Sequence, residues 1–86
     1  MKESILQKLT IAHLQKLGYL VNKIILCTLN GWTDIEAYRK GKVIFVEVKT
    51  DHTEPNPLQL FRHEQIMNMG FKVFIIYNVA DLDILS

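Results

Sequence analysis

The residues able to do chemistry gather in one stretch. Asp34, Glu47 and Lys49 lie around a short hairpin signal, Lys40-Gly41. In an extended strand successive side chains point to opposite faces. Over residues 42–49, Glu47 and Lys49 therefore share one face, and Ile44, Val46 and Val48 share the other. The second set is purely aliphatic and must face a core. An acid and an amine then stand side by side on the opposite face. A two-residue turn at Lys40-Gly41 pairs Arg39 with Lys42, Ala37 with Ile44, Ile35 with Val46 and Asp34 with Glu47. A bulged, three-residue turn would set Asp34 against Val46 and spoil the alternation. Two carboxylates directly opposed on a sheet repel, and a divalent cation between them removes the conflict. Oxygen donors from two carboxylates, the Val48 carbonyl and water suit Mg²⁺ or Mn²⁺. Lys49 can orient a water or stabilise charge on a phosphate. The chemistry to expect is metal-assisted hydrolysis of a phosphodiester.

Those residues need elements to hold them. Apolar residues at helical spacing predict a helix over residues 2–17, with Ile5, Leu6, Leu9, Ala12, His13 and Leu17 on its buried face. Gly18 suits its C-terminal end. A strand is expected over residues 19–28 and a loop over 29–33. Two strands, 34–39 and 42–49, form the hairpin. A polar loop, 50–56, leads to a second helix over 57–69, with Asn56 as N-cap, Pro57 in the first turn and Gly70 at the end. The run Lys-Val-Phe-Ile-Ile-Tyr over 72–77 predicts a fourth strand, placed centrally because it is apolar on both faces. Residues 79–85 suit a helical turn. The order is α-β-β-β-α-β, an α/β fold with a mixed sheet flanked by helices, formed by residues 1–86 as one domain.

Composition sets limits on this reading. The chain has 86 residues, 49% hydrophobic and 22% charged, with a net charge of +1. That excludes a disordered tail and gives no support to nucleic-acid binding by bulk charge. One cysteine, Cys27, excludes an intrachain disulfide and a Cys-rich zinc site, and fits a reducing, cytoplasmic compartment. Its place in an apolar strand predicts a buried thiol. The N-terminal residues read as neither a signal peptide nor a membrane span. The small size lies near the lower limit for a self-sufficient core and predicts a second copy as partner.

Thr33-Asp34, twelve intervening residues and then Glu47-Val48-Lys49 resemble the PD-(D/E)xK nuclease superfamily. Within it the chain is similar to the VRR-NUC family, the virus-type replication–repair nuclease module. The likeness includes Glu3 in the first helix, Gly31-Trp32-Thr33-Asp34, the strand Phe45 to Thr50, Gln59, and Met69-Gly70-Phe71-Lys72-Val73. One departure is plain: Thr33 stands where the family usually has Pro. The resemblance implies the PD-(D/E)xK (restriction-endonuclease-like) core. It implies a Mg²⁺- or Mn²⁺-dependent endonuclease with Asp34 and Glu47 as metal ligands and Lys49 as the catalytic lysine. Glu3 becomes an additional acid, on metal directly or through water, and Gln59 lines the site. It further implies DNA as partner, branched DNA such as a Holliday junction above all, a homodimer, and a bacterial or virus-infected cell as setting. Flaps, ends or duplex DNA as substrates, and a non-catalytic DNA-binding module, stand as alternatives.

Other residues carry weaker signals. An acid in a first helical turn is favoured on its own account, so Glu3 has a structural explanation too. Gln59 at the third position after Asn56 also completes a capping box. Lys40 and Lys42, with Arg39, form a candidate phosphate contact at the hairpin tip. His52 in the loop after Lys49, and Arg62 with His63 on the second helix, are further candidate DNA contacts. Trp32 can stack on a base, cap the core or meet a second copy. His13, His52 and His63 have no zinc-ligand spacing.

Overall fold

The hairpin closes as its turn chemistry dictates. Both turn residues lie at positive φ, Lys40 at 45° and Gly41 at 78°. That is the geometry of the two-residue turn that matches strand twist. In this computed structural model, which describes residues 1–50 and 53–86, the turn joins β2 (Ile35–Arg39) to β3 (Lys42–Val48). The register is the expected one: Arg39 opposes Lys42, Ala37 opposes Ile44 and Ile35 opposes Val46. The other elements are α1 (Glu3–Lys16), β1 (Leu20–Lys23), α2 (Pro57–Asn68), β4 (Lys72–Ile76) and a C-terminal 3₁₀ turn (Val79–Ile84). The element order therefore agrees with the sequence reading.

The sheet order is β1-β2-β3-β4. The first two pairings are antiparallel and β3–β4 is parallel. One face carries the core. Ile35, Ala37, Ile44, Val46, Val48 and Ile76 meet Leu6 and Leu14 of α1 and Leu82 and Leu85 of the C-terminal segment. Each Val, Leu or Ile among them stabilises the fold by roughly 1.5–3 kcal/mol when taken fully out of water, and Ala37 by less. Phe45 and Glu47 point to the other face, where His63 and Ile66 of α2 are buried.

Four expectations need correction. The buried line of α1 is Leu6, Thr10 and Leu14, while Ile5, Leu9 and Ala12 are exposed and His13 is half-buried. The helix is apolar on more than one side, and the sheet covers only one of them. Thr10 fits the core because its hydroxyl donates to the Leu6 carbonyl at 2.7 Å. The first strand is much shorter than residues 19–28. After Lys23 and one more bond, from Ile24 N to Asp34 O at 2.7 Å, its partner strand ends. The chain leaves the sheet, with Ile25 87% and Leu26 95% exposed. For the same reason Cys27 is exposed rather than buried. Finally, β4 is an edge strand, not a central one. Its apolar run reflects helical cover on both faces, which an edge strand beside a crossover helix also receives.

The loop between β1 and β2 is held where it approaches α2. Gly31 has φ 82°, and a Cβ there would lie 2.8 Å from Leu58 Cγ and 3.1 Å from the Leu58 backbone. Only glycine lets the loop approach that closely. Arg62 Nε adds a hydrogen bond to the Asn30 carbonyl at 2.9 Å. These contacts fix the chain just before Asp34.

Candidate active site

Asp34 directly precedes β2, and the register carries it to the end of β3 that bears Glu47. There its Oδ2 accepts a hydrogen bond from the Val48 N–H at 2.8 Å. In an extended strand the N–H and C=O of one residue project to the same side. The Val48 carbonyl therefore faces the same side as the Asp34 carboxylate. Glu47 is only 1% exposed, beneath α2. Its Oε1 lies 3.2 Å from His63 Nε2, and Asp34 is close enough to act on its carboxyl.

Burial, the hydrogen bond and negative charge of Asp34, and the more distant charge of Glu3 push the Glu47 carboxyl up to about 9, against the opposing pull of Lys49. The physics is simple. Two carboxylates about 4 Å apart repel by about 4 kcal/mol at an effective dielectric of 20. A buried lone carboxylate is costly in its own right. At neutral pH the pair therefore holds a proton, because the pull of Lys49 does not offset burial and the second acid. Burial also lowers the His63 imidazole below its usual range, aided by the positive charge of Lys49 and opposed by Asp34. His63 and Glu47 then meet as a neutral hydrogen-bonded pair rather than an ion pair.

Lys49 is half-buried. Its backbone N–H bonds the Ile76 carbonyl at 2.9 Å, which ties the residue to β4. Glu3, the first residue of α1, is exposed and close enough for its charge to act on Glu47. Thr33, where the family usually has Pro, is buried, and its Oγ1 has no hydrogen-bond partner among the described residues.

The remaining predicted residues scatter. Gln59 Oε1 accepts from the Asn56 N–H at 2.9 Å, and Asn56 Oδ1 accepts from the Gln59 N–H at 2.9 Å. The capping box is thus formed, and it occupies the Gln59 carbonyl oxygen. Lys40 and Lys42 lie at the opposite end of β3, about 17 Å from Glu47 at roughly 3.3 Å per residue. Lys42 Nζ and Arg39 Nη2 bond the Ser86 carbonyl at 3.2 and 3.3 Å, with Tyr19 Oη at 2.7 Å. Their charges clamp the end of the described chain, rather than standing free at a bare hairpin tip. Arg62 is tied to the β1–β2 loop and to Gln65. Trp32 donates to Glu36 Oε2 at 3.0 Å and meets Phe45 edge-on at 5.8 Å, which makes it a strut of the outer sheet face. His52 lies outside the described residues.

Sequence reasoning missed the place of His63, which it set beside Arg62 as a DNA contact. The signal was available. Gln59, His63 and Ile66 recur at four and three residues, the spacing of one helical face.

Among the described residues no cluster of three His, Cys, Asp or Glu side chains stands ready to cage a metal. The donors do fit a hard cation that keeps several waters. They are the Asp34 and Glu47 carboxylates at one end of the hairpin and the Val48 carbonyl on the side of Asp34. Mg²⁺ is typically held by one or two carboxylates.

No family model matches the chain. A solved structure described as a VRR_NUC domain superposes with a TM-score of 0.86 at 33% identity, over 96% of this chain and 91% of that one. The chain belongs to the VRR-NUC family. Protein p44 of Acyrthosiphon pisum secondary endosymbiont phage 1, a candidate nuclease by name, is 29% identical over 76 residues, which is 87% of this chain and 82% of p44. The VRR-NUC fold accounts for the mixed sheet and its flanking helices. No helix among the described residues is long and apolar enough to cross a membrane.

Proposed function

We propose that this VRR-NUC chain is a DNA endonuclease that hydrolyses phosphodiester bonds with a divalent cation. The observation that carries the reading is the opposition of Asp34 and Glu47 at one end of the hairpin, with Lys49 beside them. Asp34, Glu47 and the Val48 carbonyl would hold Mg²⁺ or Mn²⁺, with Glu3 as a further acid through water. Such an ion, when bound, supplies Lewis acidity toward the phosphate and lowers the pKa of a water. Asp34 and Glu47 set its place and exclude competing orientations. Lys49 orients the attacking water and offsets charge on the phosphate. Gln59 contributes its amide nitrogen to the rim of the site. Lys40 at the hairpin tip is left as a phosphate contact, while Arg62, Trp32 and Lys42 act through the loop, the outer sheet face and the Ser86 clamp described above.

The substrate in this reading is branched DNA such as a four-way junction, cut by a homodimer with one site per strand, in the cytoplasm of a bacterial or virus-infected cell. The apolar side chains left outward, Ile5 and Leu9 on α1 and Ile25 and Leu26 in the loop, favour self-association over a free monomer. The test is a panel of four-way junction, flap and linear duplex under metal titration. Cutting of the junction only with Mg²⁺ or Mn²⁺, lost in Glu47→Ala and Lys49→Ala, is expected. Retained cutting by either variant would sink the assigned site. Equal cutting of junction and linear duplex would remove the branched-DNA reading while leaving the nuclease.

A further inference from the structure

We propose that His63 is a positioning residue for Glu47: its Nε2 holds Oε1 and leaves the other carboxyl oxygen free for the cation. The inference rests on the acid-pair reading above. Asp34 has one dedicated donor, the Val48 N–H at 2.8 Å. Glu47 has one partner of its own from a different element, His63 at 3.2 Å. Two acids that repel are thus each tethered by one hydrogen bond, one from the strand and one from the helix.

A packing role alone accounts poorly for the residue type. His63 is 3% exposed, and its companion on the buried face of α2 is Ile66. A leucine there would bury more apolar surface with no polar ring to satisfy. A buried imidazole is costly unless hydrogen-bonded, and Glu47 is the side chain that bonds it. The helix that presents the ring is also held firmly. The Asn56–Gln59 capping box fixes its first turn. Leu58 sits against Gly31, and Arg62 reaches the Asn30 carbonyl from the residue before His63. The imidazole cannot drift without moving the loop that precedes Asp34. The arrangement has the logic of an outer shell around a metal site, in which a fixed partner sets a ligand's orientation.

The test measures Mn²⁺ binding without DNA, by the loss of the free-ion electron paramagnetic resonance signal. It compares the wild-type protein, Glu47→Gln, His63→Leu and His63→Gln, with circular dichroism to check folding. Wild-type binding that Glu47→Gln abolishes supports the acid-pair reading. His63→Leu should then weaken Mn²⁺ by about tenfold or more. His63→Gln, which restores an N–H donor, should recover most of that loss. Junction cleavage should follow in kcat, with KM for DNA unchanged. If Glu47→Gln abolishes binding while His63→Leu binds as wild type, the role of His63 is overturned and the acid pair stands. If the wild-type protein binds no Mn²⁺, or Glu47→Gln binds it unchanged, both readings fall. A second measurement needs no variant. The His63 ring ¹⁵N resonances should shift on Mg²⁺ titration with the midpoint of metal binding, and unmoved resonances would count against the proposal.

Discussion

At the scale of single residues, the acid pair sets how the protein responds to pH. The Glu47 carboxyl lies at about 9 when folded, against 4.5 for its ordinary value. Between those values the unfolded chain has released the proton that the folded chain still holds. Unfolding then releases a proton, so stability falls as pH rises. In chelator, the melting temperature should drop steadily from about pH 5 to about pH 9. Glu47→Gln, which cannot ionise, should flatten that slope and raise the melting temperature at the alkaline end. Added Mg²⁺ should do likewise in the wild-type protein, since it stabilises the ionised pair. A wild-type slope of the opposite sign would show that Glu47 is ionised without metal. The acids were legible from residue types alone, because alternation in a strand is a rigid rule. The hydrogen bond between His63 and Glu47 was not, since it depends on how α2 lies over the sheet.

At the scale of elements, the loop and the helix start carry specific predictions. Gly31→Ala adds a methyl group where Leu58 leaves no space, at a positive φ. It should cost about 1–3 kcal/mol in denaturant unfolding, and it should lower activity more than its stability loss explains, because the loop leads into Asp34. Asn56→Ala removes the cap acceptor of α2 and should cost about 0.5–2 kcal/mol. Gln59→Glu keeps an oxygen for the Asn56 N–H, so stability should hold. Junction cleavage by that variant then reports what the amide nitrogen adds. The hairpin register was legible because Lys40-Gly41 admits one tight turn and the aliphatic positions admit one face. The length of β1 was not. Ile24, Ile25 and Leu26 read as strand by composition, yet a strand lasts only while a partner is alongside, and β2 begins at Ile35. The apolar run of β4 gave the right element and the wrong place, since two covered faces do not reveal an uncovered edge.

At the scale of the whole molecule, the two ends of the sheet have different tasks. One end holds the acids. The other gathers Tyr19, Arg39 and Lys42 around the Ser86 carbonyl, with the Arg39 guanidinium 4.4 Å from the Tyr19 ring centroid. Removing this clamp should act mainly on stability. Arg39→Ala should lower the melting temperature by several degrees, as loss of about 1–2 kcal/mol would in a domain of this size, with cleavage per folded molecule unchanged. A selective loss of DNA binding would instead assign the hairpin tip to the DNA path. The fold class was legible from the order of elements.

The tight turn also imposes a rule of parity. With two residues in the turn, the count between Asp34 and Glu47 must be even for the acids to meet across the strands, and here it is twelve. One extra residue in either strand breaks the opposition of the two acids and turns aliphatic residues out of the core. One extra residue in each strand keeps the acids opposed but turns the side chains between it and the turn, such as Ala37 and Ile44, to the other face. The hairpin can thus grow without loss of its pattern only by two residues in each strand, and a single unmatched insertion separates the acids.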